Sequence, residues 1–264
     1  MKTIRMFQVD SFTDRLFSGN PAAVCLLDKW PAVETMQAVA AENNLAETAF
    51  VIPQGEEYAI RWFTPTVEVD LCGHATLAAG YVLFEKLGFA GQEIVFHSLY
   101  SGILKVFRDQ GKLFLDFPVD RLAPSDCAAE IAAAIGTEVL EAFRGRGDLL
   151  ALLASEEEVL NLKPDMARIA ALDARGLVVT AAGKEVDFVS RFFAPQSGIP
   201  EDPVTGSAHT TLLPLWAGKT GKTRFRARQL SKRGGELECI LKGDRCLIGG
   251  KARLFLEGQI LLEE

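Results

Sequence analysis

Two short stretches hold most of the residues whose types and spacing could do chemistry. They are Val69-Asp70-Leu71-Cys72-Gly73-His74-Ala75-Thr76 and Pro200-Glu201-Asp202-Pro203-Val204-Thr205-Gly206-Ser207-Ala208-His209. Each sets a carboxylate, then a glycine, then a polar side chain ahead of an apolar run with few breakers. A loop of this kind feeds the N-terminus of a buried helix. That end presents N–H groups without intrahelical partners and the positive pole of the helix dipole, so it holds an anion. Glycine lets the backbone approach a ligand closely. Gly73 and Gly206 are therefore expected to bind a carboxylate, with the two helix ends facing one pocket.

The side chains around these loops each have two readings. His74 carries a proton or donates to a carboxylate, or else it caps its helix. Asp202 orients an amine or imidazole, or forms a turn ahead of Pro203. Ser207 bonds a substrate carboxylate or caps its helix, and the two roles are compatible. Glu47 stands between a helix and the apolar strand Ala49-Phe50-Val51-Ile52. Facing an apolar pocket, its pKa would rise and it would serve as acid and base near neutral pH; facing solvent, it is an ordinary strand-start glutamate. Asn20 braces a cleft or forms a loop. Asp70 has the same double reading as Asp202, and His209 packs within its helix.

The elements that must position these residues follow a repeat. Gly73 and Gly206 are 133 positions apart (206 − 73), and Arg61-Trp62-Phe63-Thr64-Pro65 matches Arg191-Phe192-Phe193-Ala194-Pro195 at an offset of 130 (191 − 61). One long period in two copies means two similar half-domains, since solenoid repeats are much shorter. Apolar spacing predicts helices at 34–44, 75–87, 128–135, 164–172 and from His209 through Trp216. Strands are expected at 3–9, 22–27, 47–52, 58–63, 94–99, 102–108, 112–117, 138–144, 149–154, 176–180, 185–193, 224–230, 235–242, 246–249 and 251–263. The run 75–87 is apolar almost all round, so it must be buried, with Gly88 as its stop. Gln110-Gly111 predicts a tight hairpin turn. Pro118 and Pro124 place the boundary between the halves, giving an N-terminal half-domain at 1–118 and a C-terminal one at 119–264.

Bulk composition bounds the function. At 264 residues, 48% hydrophobic and 24% charged, the chain suits a globular protein of one large or two ordinary domains. A net charge of −7 argues against nucleic acid as a partner. No apolar run approaches the roughly 20 residues of a membrane helix. The five cysteines are odd in number and form no Cys-x-x-Cys pair. This points away from a zinc ribbon and, with no signal-like N-terminus, toward a cytoplasmic protein.

Four blocks together are specific. Phe17-Ser18-Gly19-Asn20-Pro21-Ala22, Asn44-Leu45-Ala46-Glu47-Thr48, the first glycine loop and Glu201-Asp202-Pro203-Val204-Thr205-Gly206-Ser207-Ala208 run in order along nearly the whole chain. In these blocks the sequence resembles the phenazine-biosynthesis PhzF-like family. The resemblance implies an α+β diaminopimelate-epimerase-like fold: two pseudo-symmetric halves, each a curved, mostly antiparallel sheet around a central helix. It implies a cofactor-independent isomerase, usually a homodimer, that moves a proton on a small carboxylate-bearing metabolite in the cleft between halves. Glu47, His74, Asp202 and Ser207 fall on the family's functional positions. The amino-acid epimerases and racemases of this fold use two facing cysteines. Cys72 falls at one such position, but its mate by the repeat is Thr205, whose hydroxyl cannot serve near neutral pH. A two-thiol racemase is therefore disfavoured, and a non-catalytic metabolite-binding protein is the rival of a different class. Cys72, His74 and His209 lack a recognised ligand spacing, so no metal is expected.

Overall fold

The structure is a computed structural model that describes residues 2–262. The chain forms two compact units, Met1–Asp116 with Gly249–Glu264 and Phe117–Ile248. Its strands are β1 (Lys2–Ser11), β2 (Asn20–Leu26), β3 (Glu47–Gln54), β4 (Glu57–Phe63), β5 (Glu68–Val69), β6 (Glu93–Ser98), β7 (Gly102–Asp109), β8 (Lys112–Pro118), β9 (Ala123–Pro124), β10 (Glu141–Arg144), β11 (Asp148–Leu152), β12 (Gly176–Ala182), β13 (Phe188–Phe193), β14 (Arg224–Gln229), β15 (Gly235–Lys242), β16 (Arg245–Gly250) and β17 (Ala252–Leu262). Its α-helices are α1 (Val33–Asn43), α2 (Gly73–Tyr81), α3 (Ala128–Ile135), α4 (Glu156–Asn161), α5 (Met166–Ala170) and α6 (His209–Thr220).

Strand pairing repeats between the units. In the first, β17, β1, β2, β3, β4, β6 and β7 are successive neighbours, with antiparallel, antiparallel, parallel, antiparallel, parallel and antiparallel pairings. In the second, β9, β10, β11, β12, β13, β14 and β15 follow in the same sequence of senses. The repeated arginine keeps its partners too. Arg61 Nε lies 2.6 Å from Glu68 Oε1 with Cζ 5.4 Å from the Phe63 ring. Arg191 Nε lies 2.7 Å from Glu201 Oε1 with Cζ 4.9 Å from the Phe193 ring.

One expected boundary differs. Residues 249–262 belong with the first unit, not with a half running to 264; residues 263 and 264 lie outside the described part. The cause is the ladder in which β17 pairs with β1 from Lys2↔Leu262 to Ser11↔Ala252. It occupies the edge of β1 that a strand series starting at β1 would leave unpaired.

The helix α2 is buried at every position from His74 to Gly80 and packs on β1, β2, β3 and β7. It continues as a π-helical turn over Val82–Lys86, and Gly88, at φ 68°, follows its end. Gly80 permits the contact with β7: a Cβ there would lie 2.7 Å from Cγ1 of Val106. In the second unit, α6 buries Leu212, Leu213, Leu215 and Trp216 and ends on Gly221 at φ 71°. Pro214 lies inside it and cannot donate to the carbonyl of Thr210. The Asp120 amide donates to that carbonyl instead, at 3.2 Å.

The expected hairpin is present, with Gln110 and Gly111 both at positive φ, as a type I′ turn requires. The short α4 was not expected. Its signal is a capping box: Ser155 Oγ accepts from the Glu158 amide at 3.2 Å, and Glu158 Oε2 accepts from the Ala154 amide at 3.0 Å. The helix expected at 164–172 contracts to α5, whose start is set by Asp165 Oδ1 accepting from the Ala167 and Arg168 amides.

Overpacking a close helix–strand contact typically costs about 1–3 kcal/mol. Gly80→Val should therefore lower the denaturant midpoint at unchanged slope, and Val106→Ala should recover part of the loss in the double variant. Urea melts of all four proteins check this; a Gly80→Val midpoint equal to wild type would contradict the packing.

Candidate active site

In the first unit, three elements bring one cluster together. Asn20 opens β2, Glu47 opens β3, and Gly73 and His74 open α2. The parallel β2–β3 pairing sets Ala22 beside Glu47, so both strands start on one edge. Asn20, Glu47, Cys72 and His74 are all buried. Asn20 Nδ2 lies 3.2 Å from His74 Nδ1, and Cys72 Sγ lies 3.5 Å from the same nitrogen. On the other side of the ring, His74 Nε2 lies 3.2 Å from Glu47 Oε2, close but without hydrogen-bond alignment. Ser11 Oγ donates to the His74 carbonyl at 2.8 Å and holds the start of the helix in place.

These contacts assign the ring's state. Burial drives the His74 pKa down to about 3, and a bond with the Pro21 carbonyl only partly opposes this. His74 is thus a neutral imidazole at physiological pH, and its approach to Glu47 is not an ion pair. The Pro21 carbonyl only accepts, so a ring N–H serves it, while Asn20 and Cys72 approach Nδ1 and Glu47 lies beside Nε2. Hydrogen bonds at catalytic sites are often loosely aligned before a substrate binds.

Glu47, Cys72 and His74 are also the residues that could hold a cation, with one ligand atom from each within 4.8 Å of the others. His209 is not in that group. The geometry suits an ion poorly. Cys72 and Asn20 approach Nδ1 while Glu47 faces Nε2, and a single ion takes only one nitrogen of a ring.

In the second unit, Asp202, Thr205, Gly206 and Ser207 lead into α6. Thr205 Oγ1 donates to Asp202 Oδ2 at 2.5 Å. Gln229 bridges the loop: its Oε1 accepts from the Thr205 amide at 2.9 Å and its Nε2 donates to the Asp202 carbonyl at 2.7 Å. Residues 206–208 form a tight turn, with the His209 amide donating to the Gly206 carbonyl and the Thr210 amide to the Ser207 carbonyl. Ala208 is the N-cap residue and no side chain caps the helix, so Ser207 does not cap. Its Oγ accepts from Arg175 Nη2 at 3.3 Å. His209 is fully buried; its Nδ1 donates to the Thr205 carbonyl at 2.9 Å, and burial holds its pKa near 4.

Arg175 and Asp148 escaped the sequence reading. Arg175 Nε lies 2.9 Å from Asp148 Oδ1 and Nη2 lies 2.5 Å from Oδ2. The bond with Asp148 raises the Arg175 pKa further, and Asp202 and Asp120 add to it by charge. Nothing local marks the pair, which is 27 residues apart in sequence. Gln229 and Ser11 were missed for the same reason. The two units also differ where they correspond. Leu177, which pairs with Leu149 in β11–β12 and is fully buried, takes the place of Glu47 at the offset of 130 (177 − 47). Thr205, committed to Asp202, takes the place of Cys72.

Both buried histidines predict acid lability. The unfolded pKa is 6.5 and the folded values are about 3 and about 4, so the unfolded chain binds more protons between those limits. Stability from the two neutral rings is complete above about pH 6.5 and falls with acidification, each ring adding a slope of about 1.4 kcal/mol per pH unit. His209→Asn, whose amide can still donate to the Thr205 carbonyl, should show a shallower fall in denaturation free energy between pH 6.5 and 4.5. An unchanged slope would refute the burial of a neutral ring.

Comparison with known proteins gives the family and the fold. A family model described as phenazine biosynthesis-like protein (PhzC-PhzF) matches residues 9–258. The chain is similar to an uncharacterized isomerase of Pseudomonas aeruginosa, 50% identical over 259 residues that cover 98% of this chain and 99% of that one. It is similar to the crystal structure of a PhzF-family phenazine biosynthesis protein from Enterococcus faecalis, with a TM-score of 0.94 at 46% identity over 99% of this chain and 100% of that one. A hydroxyproline epimerase from Agrobacterium vitis has the same fold, with a TM-score of 0.64 at 10% identity over 99% and 93% of the two chains.

Proposed function

The chain belongs to the phenazine biosynthesis-like (PhzF) family and is an isomerase, and on that premise we propose that it moves a proton on a small carboxylate-bearing metabolite by general acid–base catalysis. Glu47 is the proton carrier. The observation that carries this reading is the buried contact between Glu47 and the neutral ring of His74. In the tautomer protonated on Nε2 the ring can offer a hydrogen bond to the Glu47 carboxylate when that carboxylate is charged, and the contact can relax when Glu47 takes a proton from carbon. The state of Glu47 is thus coupled to its neighbour at little structural cost.

The start of α2 supplies the rest. The first intrahelical bond runs from the Thr76 amide to the Cys72 carbonyl, so the Gly73, His74 and Ala75 amides lie ahead of the helix's own ladder. They suit a substrate carboxylate and the enolate-like charge that develops on deprotonation. In this scheme Asn20 braces the His74 ring, and Asp202 and Ser207 are substrate contacts, as the family resemblance implies. The racemase reading is less favoured, because the counterpart of Cys72 is a hydroxyl already bonded to Asp202.

Replacing Glu47 with Gln keeps the size and removes the titratable group. Glu47→Gln should slow solvent-deuterium incorporation into a turned-over carboxylate by roughly 10²–10⁴-fold, while Cys72→Ala should be mild. Mass spectrometry across a panel of small carboxylic and amino acids supplies the substrate and the rate. Wild-type exchange in Glu47→Gln with loss of exchange in Cys72→Ala would sink the assignment and favour a thiol mechanism. The homodimer implied by the resemblance is checked by sedimentation, which should give about twice the chain mass of 28.7 kDa.

A further inference from the structure

The pair Asp148–Arg175 has no counterpart in the first unit, where the equivalent strand registers place Pro21 at the position of Asp148 and Leu45 at that of Arg175. It is costly to maintain for packing alone. Asp148 is a buried carboxylate, its side chain only 8% exposed, and a bidentate partner satisfies its oxygens. Arg175 is held in several ways. Its amide donates to the Gly147 carbonyl at 2.7 Å, its guanidinium grips Asp148 through Nε and Nη2, and Cζ sits 5.6 Å from the Phe192 ring. The side chain is nevertheless 50% exposed. An arginine fixed this firmly at the surface presents its donors in one set direction.

What it reaches is Ser207. Nη2 donates to Ser207 Oγ at 3.3 Å. Guanidinium has donors only, so Oγ accepts in this bond and its own O–H must point elsewhere. One lone pair of Oγ is taken by a cationic donor, which favours the hydroxyl donating its proton to a ligand. Nη1 takes no part in the grip on Asp148 and offers further N–H donors on the same group. The surface around Ser207 is thereby biased toward acceptors.

We propose that Arg175, clamped by Asp148, is a positioning residue that fixes the Ser207 hydroxyl as a hydrogen-bond donor, so that this half-site selects an acceptor-only group, a carboxylate, over a group that must donate. The inference rests on the reading that Ser207 contacts the substrate. It deepens that reading by assigning the selectivity to a residue pair outside the glycine loop. Because Asp148 balances the charge of Arg175, selection works through hydrogen-bond polarity as well as charge. A neutral amide of the same shape is then rejected, because its N–H groups meet donors.

The test uses the full-length protein with sodium malonate as the probe and malonamide as its uncharged, donor-bearing analogue, read by amide chemical shifts of residues 205–208. Malonate should shift these signals in wild type and malonamide should not. Arg175→Met should weaken malonate by roughly 10–100-fold, the worth of a lost charge-assisted bond, and narrow the preference over malonamide. Arg175→Lys keeps a cation beside Asp148 without the fork and should fall between. The decisive reading is a double-mutant cycle: once Ser207 is Ala, Arg175→Met should add little further loss. If Arg175→Met does not fold, with Asp148 left unpaired, Arg175→Lys in the same cycle carries the test. Fully additive losses, an unchanged preference over malonamide, or no wild-type shift at these amides would each overturn the proposal. Deuterium exchange in Glu47→Gln reports on proton transfer separately, so failure here is distinguishable from failure there.

Discussion

The constraint on which the first unit depends is that α2 has no polar face. A helix that is apolar all round has to be enclosed, and β1, β2, β3 and β7 enclose it. Enclosure carries its polar start inside as well. Buried polar groups need partners, and the helix start acquires them: Ser11 Oγ on the His74 carbonyl, Thr76 Oγ1 on the Cys72 carbonyl at 2.6 Å, and the Asn20 amide on the His74 ring. The network that satisfies burial surrounds the His74 ring, and the same burial keeps that ring neutral. Packing and chemistry therefore share one cause.

The two units keep the same ladder of strand senses and the same arginine, carboxylate and phenylalanine cluster, yet they carry different chemistry. A buried carboxylate costs a unit its desolvation, and only the first bears one at the start of its third sheet strand. The second has Leu177 at that place, fully buried in its core. In exchange it carries the ion pair Asp148–Arg175 beside Ser207, and a threonine whose hydroxyl is bound to Asp202. Repetition provides two buried helices behind two glycine loops; divergence of a few side chains gives each loop different polar neighbours. The helix α6 even accommodates a proline, because the Asp120 amide takes over the carbonyl that Pro214 cannot serve.

The sequence by itself determined whatever depends on short-range pattern. Apolar spacing located α1, α2, α3 and most strands. Glycine stops closed α2 and the β7–β8 hairpin, and the offsets of 130 and 133 exposed the duplication before any fold was known. The four family blocks pointed to Glu47 and His74, whose local readings stayed open because a strand-start glutamate is buried or exposed according to its neighbours. Tertiary structure alone decided those neighbours. Asn20 meets the His74 ring across 54 residues, and Asp148 and Arg175 meet across 27. The pairing of β17 with β1 joins opposite ends of the chain and moves the last strand out of the half to which its position assigns it. Side-chain protonation belongs to the same class. The neutral ring of His74 follows from burial, a property of the assembled core that no spacing of residues encodes.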